Sequence, residues 1–434
     1  MLESFKSNMS REFPNDPIAL TQKLIQIPSD KTEGGLVGYM NAYVTQNAPT
    51  SFRSIVLETA EQYRPSLLVA NHPLPRLVIV SHIDTTPAWV TGNQDGQGQY
   101  DPYGGTIVDG MLYGRGSSDA KSAAAAMLTA ISRFKRKDQE LDPVALAFTS
   151  DEETRFGGID VVTKHFARLM RDNPGYQPEF IFSTNGSNNE ISYGCRGLFE
   201  LDLEVSGKTG HSGIRKKGSE PPISAYDANI SAYLELKKML SLLDPTPLGK
   251  ATLNNAAGQH GLRDQSGNII KRYNSVPDIA LSNLEIRTNG GFYAPDEPIN
   301  GENTLKILNR LITGAGATIK SAHIPSERAA WVSEKAKGEW LENIVREVTG
   351  LTIVPEWNYG EHGFDEIAIL MNYLNRGREI ARLIPGVIWG VGIAELFHKP
   401  DECVRTTDIK VLEQVIIRTL TSPDLRQRTY FLAA

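Results

Sequence analysis

Between Asp16 and Ser183 the chain alternates two patterns. Short apolar runs, each long enough for one buried strand and too short for a helix, lead into polar or acidic residues and then into stretches of helical spacing. Residues 16–27 predict an amphipathic helix: Asp16 is placed to cap it, Pro17 suits its first turn, and Ile18, Leu20, Leu24 and Ile25 form the stripe that Pro28 ends. Residues 38–44 predict a second helix, and residues 54–58 and 66–70 short strands. The run 77–80 predicts a buried strand leading directly to His82 and Asp84. Residues i and i+2 of an extended segment share a face, so imidazole and carboxylate emerge together where the strand leaves the core. After a long polar connection at 91–105, Asp119 opens an Ala-rich helix over 122–134, at the end where the helix dipole favours a carboxylate. The strand at 144–148 runs into Asp151, Glu152 and Glu153, and the strand at 180–183 into Thr184, Asn185 and Gly186. Polar groups thus recur at the carboxyl ends of strands, where open α/β sheets carry their sites.

A different pattern begins near Arg196. Phe199, Leu201, Leu203 and Val205 alternate strictly with Glu200, Asp202 and Glu204, which predicts a half-exposed strand ending at the glycine-rich turn around His211. A helix over 223–243, extended pieces at 252–255 and 279–287, a helix over 304–312 and an extended piece at 318–323 complete the order. Strand, helix, two strands, helix, strand is an α+β unit of the split βαβ, ferredoxin-like kind. We expect it as an insertion over 196–325 in an α/β domain made of 1–195 and 326–434. The last part predicts helices at 338–347, 366–375 and 408–420, an apolar strand at 387–391, and the motif from Phe397 and His398 to Glu402.

Composition narrows the function classes. A chain of 434 residues suggests two domains or three. Its 45 basic and 51 acidic residues leave a formal charge of -6, which gives no electrostatic reason to expect nucleic acid. Cys195 and Cys403 make neither a disulfide framework nor a Cys-based zinc site, and fit a reducing compartment. The first residues mix charges and lack an apolar core, so no signal peptide is expected; nor is a membrane span, and the expected location is the cytoplasm.

The chemistry lies in His82, Asp119, Glu153 and His398, hard to borderline donors at predicted strand ends and helix starts. Two histidines with carboxylates suit Zn2+, with Mn2+ and Co2+ as alternatives. A carboxylate shared by two ions allows a co-catalytic pair about 3.5–4 Å apart. The run Asp151-Glu152-Glu153 repels itself, so unless fully solvated it implies a cation or a raised pKa. Water acidified by a metal beside a free carboxylate base is a hydrolase.

The segments SHIDTTP, GRGSSDAKSAAAAML, TSDEET, SGKTGHSG, NSVPDIALSNLEIR and FHKPDE resemble, in order, the motifs of the M20 family of metallopeptidases and amidohydrolases. That family includes carboxypeptidases, aminoacylases, acetylornithine deacetylase and succinyl-diaminopimelate desuccinylase. The resemblance implies an α/β catalytic domain with a mixed sheet flanked by helices, and an inserted domain that serves as dimerisation unit or lid. It implies that His82 ligates one metal with Asp84 orienting it, that Asp119 bridges two ions, and that Glu153 and His398 complete the other site. Glu152 is then the general base that activates the water, and Lys121 the family's motif lysine. By the same resemblance His211 polarises the scissile carbonyl in a partner subunit's site, which makes the protein a homodimer. Arg287 and Asn274 fall where the substrate's carboxylate is held.

One position departs from the family pattern. After the strand ending at Ser183 a metal-ligating Asp or Glu is expected, and Asn185 is the aligned residue, with Glu190 an alternative reached through an indel. An amide oxygen is a neutral and weaker ligand, so one or two ions per chain are expected, the His82 site being weak or vacant. The leading expectation is a zinc-dependent hydrolase of an N-acyl amino acid, of deacetylase or desuccinylase type. A carboxypeptidase or dipeptidase is the alternative. A third reading, a catalytically weak homologue that binds a small carboxylate or a partner, rests on Asn185 alone. The loop around His362 falls where the family lines its substrate pocket.

Overall fold

The structure is a computed structural model that describes residues 13–60, 64–88, 98–135, 141–213, 218–243, 246, 248–294, 297–350, 365–379 and 382–423. His362 and part of the 91–105 connection lie outside the described residues. The chain divides into two compact units. The described residues of Met1–Tyr193, Ser333–Glu356 and Ile369–Ala434 form one, and those of Gly194–Val332 and Trp357–Ala368 the other.

The first unit is built on a six-stranded sheet whose spatial order is Arg53–Leu57, Ser66–Ala70, Val144–Thr149, Leu77–His82, Phe180–Ser183, Gly386–Ile388. The last four strands in that order are parallel and the first two antiparallel, giving a mixed sheet. Leu77–His82 and Val144–Thr149 are buried at every position, as strands covered on both faces must be. Register places His82 opposite Thr149, Val80 opposite Ser183, and Ser183 opposite Ile388. Four carboxyl ends therefore emerge along one edge.

Local chemistry fixes the helices around this sheet. Asp16 caps Pro17–Ile25 by accepting from the Ile18 and Ala19 N–H groups at 3.0 and 3.1 Å, satisfying donors that a helix start leaves unpaired. Lys121–Ser132 is buried along its whole length, since its alanines let it approach the Leu77–His82 strand, Pro17–Ile25 and Thr406–Leu420 closely. Among the elements with no counterpart in the sequence expectation are the helix Gly157–Asp172 and the strands Thr106–Val108 and Met111–Tyr113, which pair with each other, the latter also with Cys403–Arg405. Gly157–Asp172 begins on two glycines, weak helix formers, and its packing shows why. A Cβ on Gly158 would stand 2.2 Å from the Ser150 carbonyl oxygen, so only glycine lets the helix start against the acidic strand end.

The second unit carries an antiparallel sheet in the order Ile269–Ile270, Thr252–Arg263, Ile279–Thr288, Gly197–Ser206, Thr318–His323. Phe199, Leu201, Leu203 and Val205 point inward as the alternation requires, and form the core with Leu236 of Ala225–Leu242 and Ile312 of Gly301–Gly314. Short strands Gly194–Cys195 and Trp331–Val332 pair and extend the compact unit beyond 196–325 at both ends. Among the described residues no helix is long and apolar enough to cross a membrane.

Candidate metal centre

The carboxyl edge of the parallel strands gathers residues that are far apart in sequence. The Asp119 Oδ1 lies 2.8 Å from His82 Nε2, and its Oδ2 lies 3.4 Å from His398 Nε2. His398 Nε2 is in turn 3.0 Å from Glu153 Oε2. Asp119, Glu153 and His398 each offer one ligand atom, and these atoms all lie within 4.8 Å of one another. One imidazole nitrogen and two carboxylate oxygens around one point suit a borderline divalent cation. Those three residues fit the ion; Asp119 stands between the two imidazoles.

Asp84 organises the acidic turn and does not join that cluster. Its Oδ1 accepts the Glu152 N–H at 3.1 Å and its Oδ2 the Glu153 N–H at 3.0 Å, while His82 Nδ1 lies 3.2 Å from its carbonyl oxygen and 3.6 Å from Oδ1. Asp84 thus holds the His82 ring through its carbonyl oxygen and, through its buried carboxylate, fixes the backbone that carries Glu152 and Glu153. Below it, Arg64 is shared between Glu33 and Asp151 at 3.1 Å each. Asp151 takes φ 60°, a left-handed conformation it supports by accepting from the Thr154 hydroxyl and the Gly157 N–H. His398 also has positive φ, 62°, at a cost of about 1–2 kcal/mol for a residue with a Cβ; that strain is held where the imidazole meets Glu153.

Charge balance follows the geometry. Burial disfavours a charged His82, but Asp119, with help from Asp84 and Glu152, holds it well above the usual imidazole range. Hydrogen bonds donated to Asp119 and Glu153 raise His398 to about 10. Burial works against ionisation of Asp119, yet the two imidazoles hold it below the usual carboxylate range. At Glu153 burial wins and the pKa rises. Carboxylates crowded around two imidazoles behave as a site that favours positive charge.

A second layer escaped the sequence reading. Arg115 and Glu402, both buried, pair at 2.6 Å, and Glu402 Oε1 also accepts the Ser118 and Asp119 N–H groups at 2.9 and 3.1 Å. The loop before Asp119 is thereby tied to the segment four residues beyond His398. Lys121 is fully buried, donates to the Ile27 carbonyl at 2.7 Å, and is pulled down to about 7 by burial. Asn185 is buried with its Oδ1 3.4 Å from the His82 backbone N–H. A Cβ on Gly390 would stand 2.2 Å from the Asn185 carbonyl oxygen, so the segment after Gly386–Ile388 packs directly on the Asn185 turn. Glu190 is exposed.

In the second unit, His211 and Asn274 are brought side by side. His211 bridges to Ser275, and the Asn274 carbonyl accepts the Ser212 N–H at 3.1 Å. His211 is exposed, and its Nδ1 accepts the Gly213 N–H at 3.0 Å. In the neutral ring that contact leaves the proton on Nε2. Arg287 sits on Ile279–Thr288 opposite Leu198, with its Nε 3.0 Å from Glu285 Oε1.

The model of peptidase family M20/M25/M40 matches residues 78–422. The chain belongs to this family. It is 26% identical over 427 residues to a succinyl-diaminopimelate desuccinylase of Methylobacterium radiotolerans, covering 94% of this chain and 96% of that one. Its fold is that of an M20 family metallo-carboxypeptidase from Sulfolobus solfataricus, with a TM-score of 0.66 at 17% identity, covering 92% of this chain and 98% of that one. It is also that of a Bacillus subtilis protein described as a dinuclear metal-binding peptidase from the M20 family, with a TM-score of 0.59 at 14% identity and coverage of 94% and 98%. Membership of the M20 family makes the chain a metal-dependent hydrolase of amide bonds, and the Asp119–Glu153–His398 cluster is where its described residues provide for an ion.

Proposed function

We propose that the protein hydrolyses the amide bond of an N-acyl amino acid or small peptide, of desuccinylase or deacetylase type, with Zn2+ as its ion. The observation that carries this reading is the acidic turn itself: Asp84 anchors consecutive N–H groups, so that Glu152 and Glu153 leave one backbone segment for different tasks. Glu153 joins Asp119 and His398 as a ligand. Glu152 is the general base. It takes a proton from water as the water oxygen attacks the acyl carbon, and delivers that proton to the amide nitrogen as the C–N bond breaks. The products are a carboxylate and a free amine. A divalent ion bound at the centre supplies Lewis acidity, lowering the pKa of water and polarising the carbonyl. Asp84 keeps the His82 ring and the turn in place.

In this reading His211, with its proton on Nε2, stabilises the oxyanion, and Arg287 and Asn274 receive the substrate's carboxylate. The unit over 196–325 serves as dimerisation domain or lid, and the working form is a cytoplasmic homodimer. The relative's desuccinylase activity supports an acyl amino acid carrying a second carboxylate. A dipeptidase or carboxypeptidase remains the second reading, supported by the metallo-carboxypeptidase fold.

The test is a hydrolysis screen of N-acetyl and N-succinyl amino acids and dipeptides with Zn2+, Co2+ or Mn2+ added, and with chelator. Metal-dependent release of acid from an N-acyl substrate supports the reading. Cleavage of dipeptides alone selects the second reading, and no turnover with any of them rejects both.

A further inference from the structure

The two imidazoles beside Asp119 are not equally provided for. On the His398 side three donors converge: His398 Nε2, Asp119 and Glu153. A protein site for a borderline divalent ion takes three or four such donors, and three with an open position is the catalytic arrangement. On the His82 side, among the described residues, histidine, cysteine and carboxylate donors form no such group of three. His82 Nε2 and Asp119 Oδ1 face each other at 2.8 Å. At the same strand edge lies Asn185, whose Oδ1 accepts the His82 backbone N–H at 3.4 Å. An amide oxygen is neutral, so even if it turned toward an ion it would bring no charge to offset a second dication. The strut from Glu402 favours the same side: it fixes the Asp119 amide and the segment that carries His398.

We infer that the centre is asymmetric and holds one divalent ion tightly per chain, at Asp119, Glu153 and His398, while the His82–Asp119 side holds no second ion at comparable affinity. This rests on the metal-hydrolase reading and deepens it, because a related fold is described as dinuclear. Asn185 is the residue that sets the difference. Restoring a carboxylate there supplies the missing third donor, next to His82 and Asp119.

The test is metal stoichiometry, read without substrate. Full-length protein is stripped with chelator and titrated with Zn2+ and with Mn2+ by calorimetry, with bound metal counted by elemental analysis after dialysis. One tight equivalent is expected in the wild type, none in His398→Ala, and two in Asn185→Asp. His82→Ala is expected to keep one tight equivalent. Circular dichroism and thermal melts confirm that each variant is folded before it is counted, and Asn185→Asp, nearly isosteric, keeps the test open should either alanine variant unfold. Two tight equivalents in the wild type would overturn the inference, as would loss of the tight equivalent in His82→Ala. Two equivalents with metal-dependent hydrolysis intact would leave the hydrolase reading standing. One equivalent with no hydrolysis of any amide would support the asymmetry and sink that reading instead.

Discussion

Glu402→Gln is the perturbation that separates holding the metal centre from forming it. The glutamate is 2% exposed and its partner Arg115 4% exposed, with 2.6 Å between Nη1 and Oε2. Its other oxygen accepts the N–H groups of Ser118 and Asp119. Glutamine keeps the shape and one carbonyl acceptor but removes the charge facing a buried guanidinium. Breaking one side of a buried ion pair costs about 3–5 kcal/mol, against a total folding stability of about 5–15 kcal/mol. The Asp119 backbone also loses a charged acceptor, and disturbing the groups that orient a ligand lowers metal affinity about 10–100-fold. Burial pushes the Glu402 pKa up against the pull of Arg115, so the assay is run as a pH series, and the loss should grow toward alkaline pH as more of the carboxylate ionises. Urea unfolding should shift to clearly lower concentration, and competition with a zinc indicator should show the weaker affinity. A double variant, Arg115→Met with Glu402→Met, removes both charges together and should recover much of the stability. It should not recover the affinity, because methionine offers the Asp119 N–H no oxygen acceptor in place of Glu402 Oε1. If Glu402→Gln unfolds with the wild type and binds zinc equally well, the strut does not hold the centre.

Three further outcomes follow from the same geometry. Asp84→Asn places an amide NH2 against one of two backbone donors, so kcat should drop about 10–100-fold with the fold intact; an unchanged kcat contradicts the anchoring role of Asp84. His211→Ala should lower kcat by about 10²–10³-fold while metal stoichiometry stays the same; a change confined to KM would assign His211 to binding only. Glu33 tests pH dependence, since burial, with Asp84 nearby, raises it from 4.5 to about 7. The native state holds that proton more tightly than the unfolded chain, so the contribution is fully present below about 4.5 and is lost as pH rises through about 7. Glu33→Gln has no proton to lose. The stability difference between wild type and variant should therefore move in the variant's favour by up to about 3 kcal/mol across that window, and a difference independent of pH would refute the shift.

Much of the site was legible because its residues end periodic elements. His82 and Glu153 follow apolar runs that could only be strands, and the parallel register then brings their ends to one edge. The strict alternation from Phe199 to Val205 likewise announced a sheet covered on one face. What stayed hidden was long-range or masked by local composition. The Arg115–Glu402 pair joins positions 287 residues apart, and no spacing rule connects them. The sharing of Arg64 between Glu33 and Asp151 is of the same kind. Gly157–Asp172 opens on two glycines, weak helix formers, which in the structure are what lets a helix start flush against Ser150. The residue that sequence marked as unusual, Asn185, proved to lie at the His82 strand edge.

The central claim is that Glu152 moves the proton in a metal-dependent amide hydrolysis. Its most direct test is the turnover of Glu152→Gln on an N-acyl amino acid that the wild type cleaves, with the zinc content of both proteins measured on the same samples. Glutamine is nearly isosteric and leaves the Glu152 N–H on Asp84, so zinc content should match the wild type while kcat falls by about 10²–10⁴-fold. Retention of wild-type turnover at equal zinc content would contradict the account.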